Sequence, residues 1–150
     1  MSLTLTLTDV MTGPVAIPDH LDPLAFVPVV GRAPVAQGDL MVCPQAFPSR
    51  KVVARKDAAW SAVPAEGVKI IDGSDNGGGH DHVLVAAPGT ATVTFDVDHP
   101  SGLAICLISV TDVASIQHIE HGAIILTPDN SPFECRGQRE QADIERRVAD

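Results

Sequence analysis

The chain has 150 residues, 45% of them hydrophobic, a formal net charge of −9, and 3% aromatic residues with no tyrosine. This length suits one domain with a sizeable core, and the acidic balance argues against a nucleic-acid surface, which needs a basic patch. The three cysteines, Cys43, Cys106 and Cys135, are odd in number and form no CxxC, so no disulfide framework is expected and the chain reads as cytosolic.

With few aromatics, the core must come from Val, Ile, Leu and Ala, which suit pleated strands. Twelve glycines and twelve prolines cut the sequence into short pieces. Leu3, Leu5 and Leu7 alternate with Thr4, Thr6 and Thr8, a period-two pattern that predicts a polar-faced strand rather than a signal peptide. Prolines 14, 18 and 23 make the next segment extended loop. Leu24–Val30 is apolar but contains Pro28, which confines it to a sheet edge or a bulge. Gly38-Asp39 turns into a short buried strand at Leu40–Cys43. The local basic run Ser49–Lys56 reads as a solvated strand end or loop. Ala58–Val63 is expected to form a helical turn, with Trp60 as a core or lid anchor.

A strand over Gly67–Ile71 leads to the glycine-rich loop Asp72–Gly79. Strands follow at His82–Ala87, Ala91–Val97, Leu103–Val110, Ser115–Glu120, Ala123–Leu126 and Phe133–Cys135. Pro88-Gly89 carries the signal of a type II turn. The tail over residues 138–149 is helix-forming, with Ile144 and Val148 as its only large apolar residues. Arg136, Arg139 and Glu140 beside its start suit ion pairs across a subunit interface. No apolar stretch reaches membrane-spanning length.

Four of the six histidines fall in two clusters, His80-Asp81-His82 and His118-Ile119-Glu120-His121. On a strand, His80 and His82 share a face, and neutral imidazole is the commonest ligand for zinc and related divalent metals. His118, Glu120 or His121 would complete the set. If residues 118–121 are strand, His118 and Glu120 share a face; if they form a turn, His118 and His121 converge. The competing structural reading has these histidines bonding backbone groups around a turn, with Asp81 as its cap. No nucleophile elbow, P-loop, HExxH or dinucleotide fingerprint is present, and neither Cys106 nor Cys135 has an activating context.

Gly77–His82 resembles the beginning of the first metal-binding motif of the cupins, although Val83–Ala87 lacks the glutamate that follows there. Over residues 67–150, Gly78–Val85, His118–Ala123, Arg136–Glu140 and Arg147–Asp150 resemble an uncharacterised group of small bacterial and phage-type proteins with the pattern GGHTH, HPEHG, RxQRE and VAD. The resemblance implies that the histidine clusters and the Gln138-Arg139-Glu140 segment belong to one recurring design. The expectation is an all-β sandwich or jelly-roll-like barrel over residues 1–150, closed by a C-terminal helix at 138–149. The leading functional reading is a non-enzymatic cytosolic accessory protein that self-associates or binds a protein partner, with or without a structural metal. The rivals are a cupin-like metalloenzyme using His80, His82, His121 and Glu120, and a small-molecule-binding barrel with the glycine loop as its lid.

Overall fold

Apolar, β-branched runs bounded by glycine and proline fold here as strands of two to seven residues. The computed structural model describes residues 4–11, 13–47, 52–76, 79–140 and 143–147. In chain order the strands are β1 (Val35–Gln37), β2 (Leu40–Pro44), β3 (Val53–Ala54), β4 (Ser61–Ala62), β5 (Val68–Ile71), β6 (His82–Ala86) and β7 (Ala91–Thr94). They continue as β8 (Val97–Asp98), β9 (Ala104–Val110), β10 (Ala114–His118), β11 (Gly122–Leu126), β12 (Phe133–Gly137), β13 (Arg139–Glu140) and β14 (Asp143–Arg147).

Two antiparallel sheets carry the fold. The larger has the order β1-β2-β12-β9-β7-β4 and the smaller β11-β10-β6-β5, while β3–β8 and β13–β14 are separate pairs. Between the sheets lies the main core. Val42, Ile108 and Phe133 from the larger sheet and Leu84, Ile116 and Ile124 from the smaller are all fully or almost fully buried within it. Each such side chain contributes about 1.5–3 kcal/mol of burial free energy. The architecture is thus the expected all-β, sandwich-like one.

The smaller sheet is covered on its outer face as well. Leu7, Met11 and Val27 from the N-terminal segment pack on Ala123 and Ile125 of β11. That second layer explains why all five residues of β11 are buried: a strand covered on both faces reads as a continuous apolar run. Pro28 behaves as an edge residue should. Its carbonyl accepts from Ile125 N (2.9 Å), and Val30 N returns a bond to Ile125 O (2.8 Å), so no proline donor is missed.

Three local expectations are corrected. Leu7–Val10 is a single helical turn (α1), not the strand expected over Leu3–Thr8, of which Leu3 lies outside the described residues. Asp9 Oδ2 accepts from the Thr6 backbone N (2.8 Å) and hydroxyl (3.1 Å), a capping arrangement that outweighs strand propensity, and the turn buries Leu7 and Met11. In place of the helical turn at Ala58–Val63, β4 pairs with β7, and Trp60 is 44% exposed rather than a core anchor. In place of the helix over residues 138–149, the described residues form the β13–β14 hairpin, with Arg139 opposite Arg147. A helix with so thin an apolar stripe has little to bury, whereas strand pairing satisfies the backbone directly.

The Ala87–Thr90 turn has the expected type II form. Gly89 sits at φ +77 and Thr90 N donates to Ala87 O (3.2 Å). A Cβ at Gly89 would meet nothing within 4 Å, but one at Gly67 (φ +85) would lie 2.8 Å from Val83 Cγ1 and 2.9 Å from Leu84 O. Gly89→Ala should therefore cost only the left-handed backbone penalty, about 1–2 kcal/mol, and Gly67→Ala distinctly more, measured by urea denaturation. Equal losses would contradict this packing.

Candidate functional site: a buried histidine network beside a cleft

His82 opens β6 and shares its inward-facing parity with Leu84, so its ring enters the space between the sheets. It is completely buried. The β1–β2 hairpin of the opposite sheet meets it there. Its two-residue loop is Gly38-Asp39, with Gly38 at φ +59, the pattern of a type II′ turn. His82 Nδ1 lies 2.9 Å from Gln37 Oε1, and His82 Nε2 lies 2.7 Å from Asp39 Oδ1. Gln37 and Asp39 are themselves 2% and 3% exposed, so the contact is dry.

The hydrogen positions follow from the partners. Gln37 Nε2 donates to the carbonyls of Ile116 (3.0 Å) and Gly122 (3.1 Å), so its amide cannot be reversed without facing oxygen to oxygen. Its Oε1 must accept, and His82 Nδ1 must donate. One further proton then lies between His82 Nε2 and Asp39 Oδ1. The pair is an imidazolium–aspartate ion pair or its neutral equivalent, and never a bare carboxylate facing a bare nitrogen.

His118 lies beside His82, with ring centroids 4.3 Å apart. Its Nδ1 accepts from the backbone N–H groups of Glu120 (3.0 Å) and His121 (3.1 Å), so its proton sits on Nε2. This bonding closes residues 119–121 as a turn, resolved into Gly122 at φ +78. Of the two geometries open to the sequence, the turn is therefore the one adopted, and the His118 and His121 rings come within 4.6 Å of each other. His80 meets the edge of His118 at 5.9 Å, and its Nε2 donates to Glu120 Oε1 (2.7 Å) at the surface.

The four histidines thus do come together, but as packed rings rather than as donors aimed at one point. Both nitrogens of His82 are committed to protein partners, and Nδ1 of His118 to backbone. Among the described residues, no three His, Cys, Asp or Glu side chains form a group able to hold a metal ion. Gly77 and Gly78, at the tip of the glycine loop, lie outside those residues. Of the interface candidates, Arg136 Nε pairs within the chain with the buried Glu134 Oε2 (3.0 Å), and Arg139 and Glu140 lie on β13. The three cysteines are free and buried. Burial, then the neighbouring Cys135, pushes the Cys106 thiol well above its ordinary value, the reverse of an activated nucleophile.

Sequence reasoning missed Gln37 altogether and did not foresee the roles of Asp39, read only as a turn residue, or Gln138, read only as part of a recurring segment. The Gln138 backbone N donates to Asp39 O (2.9 Å), and its Nε2 donates to Gly38 O (2.5 Å) and Leu40 O (3.3 Å), clamping the hairpin loop that delivers Asp39. The Gly38-Asp39 turn was visible in the sequence; nothing local in it pointed to a histidine 43 residues away.

On the outer face of the smaller sheet lies a cleft of about 540 Å³. Its apolar lining is Val83 of β6, Ile119 of the histidine turn, and Pro14, Val15 and Ala16 of the N-terminal segment. Its polar lining is Glu66, Lys69, His80 and Asp81. Lys69 Nζ lies 3.3 Å from Asp81 Oδ2 and 3.6 Å from Asp72 Oδ2. The hydrogen bond to Asp81, followed by the charge of Asp72, holds its ammonium above the ordinary lysine value. Asp81 Oδ1 also accepts from Gly73 N (2.8 Å), fastening the start of the glycine loop to β6.

A family model described as "Domain of unknown function (DUF8820)" matches residues 36–129. This span includes Gln37, Asp39 and all four clustered histidines and stops before Gln138. No curated protein and no solved structure matches the chain. No helix among the described residues is long and apolar enough to cross a membrane.

Removing one partner of a buried pair strands the other. Asp39→Ala and His82→Ala should each destabilise the fold by about 3–5 kcal/mol. The double variant should lose clearly less than the sum of the two losses, as read by urea denaturation of all four proteins. Additive losses would dissolve the pairing.

Proposed function

This chain belongs to the DUF8820 family, a domain family of unknown function, and we propose that it is a small-molecule-binding β domain whose ligand occupies the cleft beside the histidine cluster. The cleft itself is the observation that supports this reading. Its volume of about 540 Å³ falls within the range of small-ligand sites, and it combines an apolar floor with a few convergent polar groups. Ile119 is 41% exposed there, an apolar surface that a ligand would cover. The buried His82–Asp39 network serves as scaffold: it anchors β6, which carries Val83 and follows directly on His80, and the 119–121 turn, which carries Ile119. This reading needs no metal ion.

Screening a fragment library by ligand-observed NMR tests it. Binders should shift the amides of Val83, Lys69 and Ile119, and Ile119→Trp, a substitution at an exposed position that fills the cleft, should abolish those shifts. A library without any binder at these residues would refute the proposal.

Self-association is a second reading, supported by a different observation. Phe26 and Leu24 are 76% and 73% exposed two residues apart on the N-terminal segment, apolar surface that a second copy of the chain would cover. Light scattering across a concentration series should then show a dimer or larger species that Phe26→Ser returns to monomer. A monomer at every concentration would exclude it.

A further inference from the structure

We propose that the ligand of the cleft is an organic cation: a protonated primary or secondary amine carried on an apolar body. The inference rests on the cleft being a ligand site, as argued above, and adds the ligand's charge and head-group chemistry. The cleft's one lysine is already compensated. Lys69 Nζ faces two carboxylates, Asp81 at 3.3 Å and Asp72 at 3.6 Å, so little of its charge is left to attract an anion. Glu66, at the exposed rim, makes no ion pair among the described residues. Behind His80 stands another carboxylate, Glu120, at 2.7 Å. Among the described residues, the lining and its immediate backing thus hold Glu66, Asp72, Asp81 and Glu120 against a single lysine.

A cation entering such a cleft gains attraction from every side, and an anion meets repulsion that Lys69 cannot offset. The head group follows from what the lining lacks. No Phe, Tyr or Trp lines the cleft, so there is no aromatic cage of the kind that holds a quaternary ammonium. Carboxylates instead offer charge-assisted hydrogen bonds to an N–H-bearing ammonium. Val15, Val83 and Ile119 supply the surface for the apolar body. Asp81 is held by Gly73 and Lys69, which leaves Glu66 as the carboxylate most able to engage a new partner.

Four probes with alkyl tails of five or six carbons test this: hexylamine, hexanol, hexanoate and hexyltrimethylammonium. Each is titrated into the intact protein and followed by NMR at the amides of Val83, Lys69 and Ile119. Hexylamine should bind about tenfold or more tighter than hexanol, roughly the contribution of one charge-assisted hydrogen bond. It should outcompete hexyltrimethylammonium, and hexanoate should bind weakest. Glu66→Gln, at an exposed position, should reduce the hexylamine preference severalfold while leaving hexanol unchanged. Hexanoate binding at least as tightly as hexylamine at these amides would overturn the charge assignment yet leave the cleft a ligand site. Hexyltrimethylammonium binding as well as hexylamine would overturn the head-group assignment. No response to any of the four would count against the cleft reading as well.

Discussion

Both ring nitrogens of His82 are bonded to the hairpin of the opposite sheet, and much of the molecule's organisation follows from that one contact. A sandwich of this size could have closed its end with apolar side chains. Instead Gln37, Asp39, His82 and His118 fill it, each at most 3% exposed. A polar plug of this kind is unforgiving. Pairing donors with acceptors fixes the amide of Gln37 and the Nδ1 proton of His82, and the two backbone donors at Nδ1 fix the tautomer of His118. It also sets register, because a one-residue slip of β6 would turn His82 to the outer face and Val83 inward.

From the plug, the constraints run outward in both directions. Toward the larger sheet, Gln138 clamps the Gly38-Asp39 loop and so ties the end of β12 to the histidine. Toward the surface, His118 accepts two backbone bonds that shape the 119–121 turn, and this turn presents Ile119 to the cleft and Glu120 to His80. The buried rings of His82 and His118 therefore act as architecture, and on the reading proposed above the cleft beside them is the binding surface. Such division is familiar in binding domains, where a rigid interior positions a more open recognition surface.

Much of the fold was legible because it depends on local rules. The apolar runs at β6, β9 and β11, the Pro88-Gly89 turn and the edge position of Pro28 each follow from backbone chemistry within a few residues. Three elements were not legible. The Thr6–Asp9 cap competes with a perfect Leu/Thr alternation, and the cap together with packing against β11 decides between them. The tail has helical composition but only Ile144 and Val148 as large apolar residues, and pairing as a hairpin satisfies its backbone directly. The fate of the histidines was the least legible of all. Two clusters of His and Glu at metal-ligand spacing look the same in sequence whether they face an ion or an Asp–Gln pair, and that pair sits on a hairpin some 45 residues upstream. The cleft was equally hidden, since its walls come from segments between residues 14 and 119 that only the fold brings together.

The protonation of His82 and His118 bears on this account most directly. Long-range proton–nitrogen correlation spectra of the intact protein at neutral pH read it residue by residue. The expected result is a slowly exchanging proton on Nδ1 of His82 and, on its neighbour His118, a proton on Nε2 with Nδ1 bare. A His82 ring with an unprotonated Nδ1 would contradict the network, and with it the claim that a buried, fully bonded histidine joins the two sheets.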